Sequence, residues 1–131
     1  MIKPLPHWTH WDAQAQSIHG ISPEILATHG DDPVEVCVAL NEFANGQTLY
    51  SDAWVVDYTW VIKLFSECKV HMAFKLSSIE MVMTESQFAI WDDAKTKVIS
   101  ECGLVRHRAS SDAFVIQKTY QQTCSLMQHS Q

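Results

Sequence analysis

Basic residues are scarce and unevenly placed. The chain has 9 Lys and Arg against 15 Asp and Glu, a formal charge of −6. Residues 1–62 hold one base, Lys3, against eight acids, a balance of −7; residues 63–131 hold eight bases against seven acids, a balance of +1. A protein that grips nucleic acid by phosphate neutralisation alone is basic, so that class is excluded. Long hydrophobic runs are missing as well. Apolar-rich stretches are broken within about ten residues, which excludes a membrane-spanning helix. No positively charged start leads into an apolar run and a small-residue cleavage site, so the expected location is cytoplasmic. The four cysteines (Cys37, Cys68, Cys102 and Cys124) show no C-x-x-C spacing. They read as reduced, buried thiols rather than a disulfide framework or a zinc site. Repeats, low-complexity segments and Gly/Ser linkers are also lacking, so a single domain over residues 1–131 is expected.

The length and the 47% hydrophobic content suit one compact core and exclude disorder. Met1 to Ile18, with Pro4, Pro6, Trp8, His10 and Trp11, has no periodicity and reads as extended structure and loop. Ser22-Pro23-Glu24 has helix-start chemistry: a capping hydroxyl, proline at the first helical position and an acid in the first turn. His29-Gly30 ends that helix. Asp32-Pro33 opens a second, with a stripe of Val36, Ala39, Leu40 and Phe43, stopped by Asn45-Gly46. Thr48 to Ser51 reads as a strand, and about Trp54 to Phe65 as a helix with Val61, Leu64 and Phe65 inside. Val70, Met72, Phe74 and Leu76 alternate as a strand with one buried face. Two further helices are expected, from about Ser86 to Cys102 and from about Ala109 toward Cys124. Helices alternating with strands make an α/β layer protein, yet two strands are too few for so many helices to cover.

Two carboxylates stand in the same setting. Asp57 precedes Val61 and Leu64 by four and seven residues; Asp112 precedes Val115 and Ile116 by three and four. Each falls on an apolar stripe near a helix start. Acids are common in first turns for the sake of the helix dipole. Two on stripes, with His107 five residues before Asp112, point instead to a site, because a carboxylate on a buried face needs a partner or a metal.

Three stretches then resemble the DEDD superfamily of 3′→5′ exonucleases, in the branch with a catalytic histidine that includes proofreading subunits and ribonuclease T. Ile18-His19-Gly20-Ile21-Ser22 matches the family's I-H-G-I-[ST] segment. Leu49 to Ala53 through Val56-Asp57-Tyr58, with Trp60 and Leu64-Phe65, resembles the second motif, a strand leading into a helix with a metal-ligating Asp. His107 to Ala113 resembles the third motif, H-x4-D followed by a small residue. The first motif, Asp-x-Glu on the first strand, has no counterpart before His19. The resemblance therefore implies a ribonuclease H-like mixed sheet flanked by helices, N-terminally truncated relative to the family. On that expectation the chain begins near the end of the family's third strand.

The family hydrolyses phosphodiester bonds at nucleic acid 3′ ends with two Mg²⁺ or Mn²⁺ ions held by four carboxylates. Carried over, Asp57 and Asp112 are metal ligands and His107 is the general base. Ile18 and His19 border the pocket for the terminal nucleotide. Arg106, Arg108 and Lys118 flank the third motif, where they read equally as phosphate contacts or as a solvated basic face. Without the Asp-x-Glu pair, weak ion binding and little or no activity are expected. The alternative is a non-catalytic remnant or interaction module, a homodimer paired through open sheet edges. His7 and His10 have H-x2-H spacing, but no second pair follows to complete a zinc site. Trp8 and Trp11 read as packing anchors before base-stacking platforms, and Asp52 as a turn residue.

Overall fold

The computed structural model describes residues 1–103 and 108–128. The chain forms two compact units, Met1–Ser77 and Ser78–Gln131. Of the described residues 66% are helical, and among them the sheet is a parallel pair of strands, so helix–helix packing supplies most of the core. Among the described residues no helix is long and apolar enough to cross a membrane.

The first unit runs α1 (Ala13–His19), α2 (Pro23–His29), α3 (Pro33–Ala44), β1 (Thr48–Ser51), α4 (Trp54–Glu67) and β2 (Lys75–Ser78), whose last residue begins the second unit. The helix starts at Pro23 and Pro33 form as their local chemistry dictates. The Ser22 hydroxyl accepts from the Ile25 amide, and the Asp32 carboxylate from those of Val34 and Glu35. Asn45 ends α3 in the left-handed region, at φ 32°.

The extended structure and loop expected over Met1–Ile18 hold as far as Asp12, and α1 corrects the rest. Asp12 accepts from the Gln14 and Ala15 amides, which holds its carboxyl below the usual Asp range. Gly20, at φ 69°, closes the other end. None of its seven residues is buried, so α1 has caps but no apolar stripe for periodicity to detect.

The stripe of α3 also needs correction. Its buried line is Pro33, Cys37 and Ala44, flanked by half-buried Val36 and Leu40, while Ala39 is exposed and Phe43 is 78% exposed. Periodicity gave the spacing but not the phase. Where α3 packs on α4 the small side chains Cys37 and Ala44 are the buried ones, and the bulky Phe43 faces away. The core of this unit is Cys37, Ala44, Leu64, Phe65 and Phe74, with Trp8, Leu49, Val61, Cys68 and Val70 among the side chains packed on it. Phe65 and Phe74 meet edge to face, with ring centroids 5.7 Å apart.

The strand expected over Val70 to Leu76 begins later, at Lys75. Residues 70–74 keep the alternating burial but pair differently. The Asn41 amide donates to the His71 carbonyl and accepts from the Ala73 amide, both at 2.8 Å. A helix side chain thus takes the place of a neighbouring strand, satisfying backbone groups that would otherwise lack partners.

After α4 the chain turns through a Schellman arrangement. The Val70 amide donates to the Phe65 carbonyl and the Lys69 amide to that of Ser66, with Lys69 at φ 53°. Lys69→Gly is therefore expected to stabilise the protein by about 0.5–1 kcal/mol, the left-handed penalty less glycine's extra unfolded-state entropy. A urea midpoint that falls would contradict this.

Gly30 carries a second backbone constraint. Strand-like pairing joins Ile2 to Asp31, with Lys3 N donating to Asp31 O and Asp31 N to Met1 O, each at 2.9 Å. A Cβ on Gly30 would stand 2.4 Å from the Leu26 carbonyl oxygen and 2.6 Å from the Lys3 amide nitrogen, both backbone atoms with little room to yield. Gly30→Ala is expected to destabilise by about 1–3 kcal/mol, as overpacking does. Faster amide exchange at Lys3 and Asp31 should accompany the lowered urea midpoint.

The second unit begins with a 3-10 turn, Ile79–Val82, followed by α5 (Glu85–Cys102) and α6 (Ala109–Gln128), which pack against each other. Thr84 and Gln87 form a reciprocal capping box at the start of α5, and Gly103 ends the helix in the left-handed region. The buried residues include Ala94, Val98, Val115, Thr119 and Thr123. The polar ones are satisfied within the unit. Gln87 Nε2 donates to Thr123 Oγ1 and Cys124 Sγ, and Thr119 Oγ1 donates to the Val115 carbonyl.

Candidate functional site

Asp57 stands where β1 passes into α4. Its amide donates to the Ala53 carbonyl, which places it in the first helical turn. The expectation of a carboxylate on a buried face is corrected here. Asp57 is exposed, and Asp57 Oδ2 accepts a 2.5 Å hydrogen bond from the Ser51 hydroxyl. Ser51 is itself buried, and its Oγ accepts from the Ala53 amide at 2.9 Å. One hydroxyl thus ties the end of β1 to the start of α4 and aims the carboxylate. The remaining lone pairs of an ionised carboxylate outnumber what a single hydroxyl can fill.

Trp54 completes the junction. Its indole N–H donates to the Leu76 carbonyl on β2 at 3.0 Å, and its ring lies 5.4 Å from that of Tyr58. Sequence reasoning included Ser51 in the second motif and began the helix at Trp54, but gave neither side chain a role. The signal for Ser51 was present as a hydroxyl six residues before the acid, at a strand end. Because the sheet is parallel, Asp57 lies at the carboxyl end of β1, the edge at which open α/β sheets bind ligands. Asp52 lies in the turn between β1 and α4, as expected.

In the second unit, Asp112 is half-buried in the first turn of α6, its amide donating to the Arg108 carbonyl at 2.9 Å. Arg108 is exposed just before that helix. Arg106 and His107 lie outside the described residues. Asp57 and Asp112 fall in different units, so each is placed within its own.

Ile18 is exposed on α1, 56% accessible. His19 closes that helix: its Nδ1 accepts from the Ile21 amide at 3.0 Å, and Trp11 meets its ring edge-on. That bond makes His19 part of the turn. His7 pairs with Glu67 at 2.8 Å rather than with His10. Trp8 packs on the core, with its indole N–H buried and no acceptor among the described residues, while Trp11 is more exposed and donates to Gln16.

Among the described residues no three His, Cys, Asp or Glu side chains are grouped as a metal ion requires. What the β1–α4 junction offers is a solvent-facing carboxylate held by a fixed hydroxyl. Comparison with known proteins found no matching family model, curated protein or solved structure.

Proposed function

We propose that this chain is a ribonuclease H-like domain of the 3′→5′ exonuclease superfamily that carries part of a phosphodiester-hydrolysing site. On this reading Asp57 and Asp112 serve as ligands to Mg²⁺ or Mn²⁺, His107 as general base, and Ile18, His19, Arg106 and Arg108 as contacts to a nucleic acid 3′ end. The observation that carries it is the place of Asp57, exposed in the first turn of the helix that follows a parallel strand. Bound divalent ions would supply charge stabilisation at the scissile phosphate. They need further carboxylates, so these residues alone should cleave weakly or not at all.

Charge supports the same view. The first unit, residues 1–77, holds four bases against nine acids, and phosphate approaching Asp57 meets that excess. Without divalent ions, binding to nucleic acid should be weak and salt-sensitive. The test is release of label from 3′-labelled single strands in Mg²⁺ or Mn²⁺, using a version extended by a strand bearing Asp-x-Glu. Metal-dependent release that is lost in Asp57→Asn and in Asp112→Asn is the expected result. An inert extended protein, or an Asp112→Asn variant as active as its parent, would overturn the assignment.

A second reading rests on α4. Leu64 and Phe65 are buried on one side, while Val55 (72% exposed), Val56 and Trp60 (66% exposed) lie open on the others. Several large apolar side chains open to solvent on one helix mark a surface that another molecule covers. A non-catalytic module that self-associates would cover it, and concentration-dependent sedimentation of an inert protein would favour that reading.

A further inference from the structure

We propose that Cys37 and Cys68 form a redox-active dithiol, which a low-molecular-weight disulfide such as glutathione disulfide converts to an intramolecular Cys37–Cys68 bond joining α3 to the end of α4.

The two residues are far apart in sequence and together in the fold. Cys37 lies on α3 at 0% exposure, inside the apolar cluster of the first unit. Cys68 caps the C-terminus of α4, is half-buried and packs on the same cluster. Both side chains pack on one apolar cluster where α3 meets α4, which sets the Cys68 thiol beside that of Cys37. The other two cysteines, Cys102 and Cys124, belong to the second unit, and Cys124 accepts from Gln87 there. A lone buried cysteine is an inert small hydrophobe. Two thiols side by side, one of them partly open to solvent, are a pair in which the second can displace whatever the first has captured.

The chemistry assigns an order to the two sulfurs. Burial, with the Cys68 thiol beside it, pushes the Cys37 thiol up to about 12. At neutral pH it is a poor nucleophile and sits out of reach of an external oxidant. Cys68 therefore reacts first. It loses its proton and attacks one sulfur of glutathione disulfide; that S–S bond breaks, and one glutathione leaves as its thiol. Cys37 then loses its proton and attacks Cys68 Sγ, and the second glutathione leaves. Two protein thiols are oxidised, one disulfide is reduced to two thiols, and no other reactant is needed. The slow second step, set by the buried thiol, should let the Cys68 mixed disulfide appear transiently.

The experiment uses the full chain with glutathione disulfide, followed by denaturation, alkylation of the remaining thiols and peptide mapping without reductant. Before alkylation the expected product is two hydrogens lighter than the parent; after it, the Cys37 and Cys68 peptides are joined and Cys102 and Cys124 are alkylated. In Cys37→Ser the reaction should stop at a persistent Cys68–glutathione adduct; in Cys68→Ser, Cys37 should stay reduced. The oxidised parent should melt several degrees higher, since the bond closes a loop of about 30 residues in the unfolded chain. A parent that stops at the mixed disulfide, links other cysteines or leaves Cys68 unmodified would overturn the proposal. Mapping of the parent alone decides this, even if neither serine variant folds.

Discussion

Phe65→Ala is expected to lower stability by about 3–5 kcal/mol, a large share of the total of a domain this size. Phe65 is 3% exposed and lies in the cluster that holds Cys37, Ala44, Leu64 and Phe74, its ring edge-on to Phe74. Truncation removes the transfer free energy of a benzyl group and the aromatic contact, and it leaves a cavity. The surroundings are poorly placed to fill it. The Phe65 carbonyl accepts from Val70 in the turn that ends α4, so the backbone there cannot settle inward without breaking that turn. Phe43→Ala is the matching control. At 78% exposure it should change stability by no more than about 0.5 kcal/mol. Urea unfolding followed by tryptophan fluorescence measures both, because Trp8 packs on the same cluster. Equal effects at the two positions would mean the core has been wrongly placed.

The contrast between these two phenylalanines also marks how far the sequence could be read. Features fixed by a few neighbouring residues were legible. Ser22-Pro23, Asp32-Pro33, Asn45-Gly46 and Gly103 start or end helices where their capping chemistry says they should. The strand at Thr48 and the helix after Ala53 follow from the same local signals. Features set by a distant partner were not. Phe43 and Cys37 both fit a helical stripe, and only the packing of α3 on α4 decides which goes inside. The Asn41 amide replaces a strand neighbour for His71 and Ala73, a substitution across about 30 residues that no periodicity announces. Lys69 in the left-handed region is a further case, since Gly or Asn is the usual residue there.

The candidate site divides along the same line. The position of Asp57 at a helix start was readable from the strand-to-helix signal, and so was that of Asp112. The state of the Asp57 carboxylate was not. Spacing from Val61 and Leu64 placed it on the buried stripe, but α4 begins at Trp54, and its first turn extends beyond the side chains that cover Leu64 and Phe65. Exposure changes what the residue can do. A buried carboxylate demands a partner for stability, whereas an exposed one held by Ser51 is available to a ligand from solvent.

On the proposed reading, His107→Ala should slow 3′-end release by about 10²–10⁴ in the extended protein while leaving divalent-ion binding nearly unchanged. The two aspartates and the histidine have different tasks. Asp57→Asn or Asp112→Asn takes a negative charge from a cation site, so ion affinity and turnover should fall together. An imidazole carries no charge when neutral and titrates near pH 7, which suits it to take the proton of an attacking water. Its loss removes proton acceptance and nothing that holds the ion or the strand. The apparent affinity for the labelled strand should therefore stay within about twofold of the parent. The rate should also lose its rise across the histidine range, because no group of that pKa remains to be deprotonated. Three measurements separate the roles: ion affinity by calorimetry, the KM for the strand, and the pH profile of turnover. If His107→Ala lost ion binding along with activity, His107 would be a ligand or a structural residue instead. A variant that kept its full rate and pH profile would remove His107 from the reaction and, with it, the third motif on which the exonuclease reading depends.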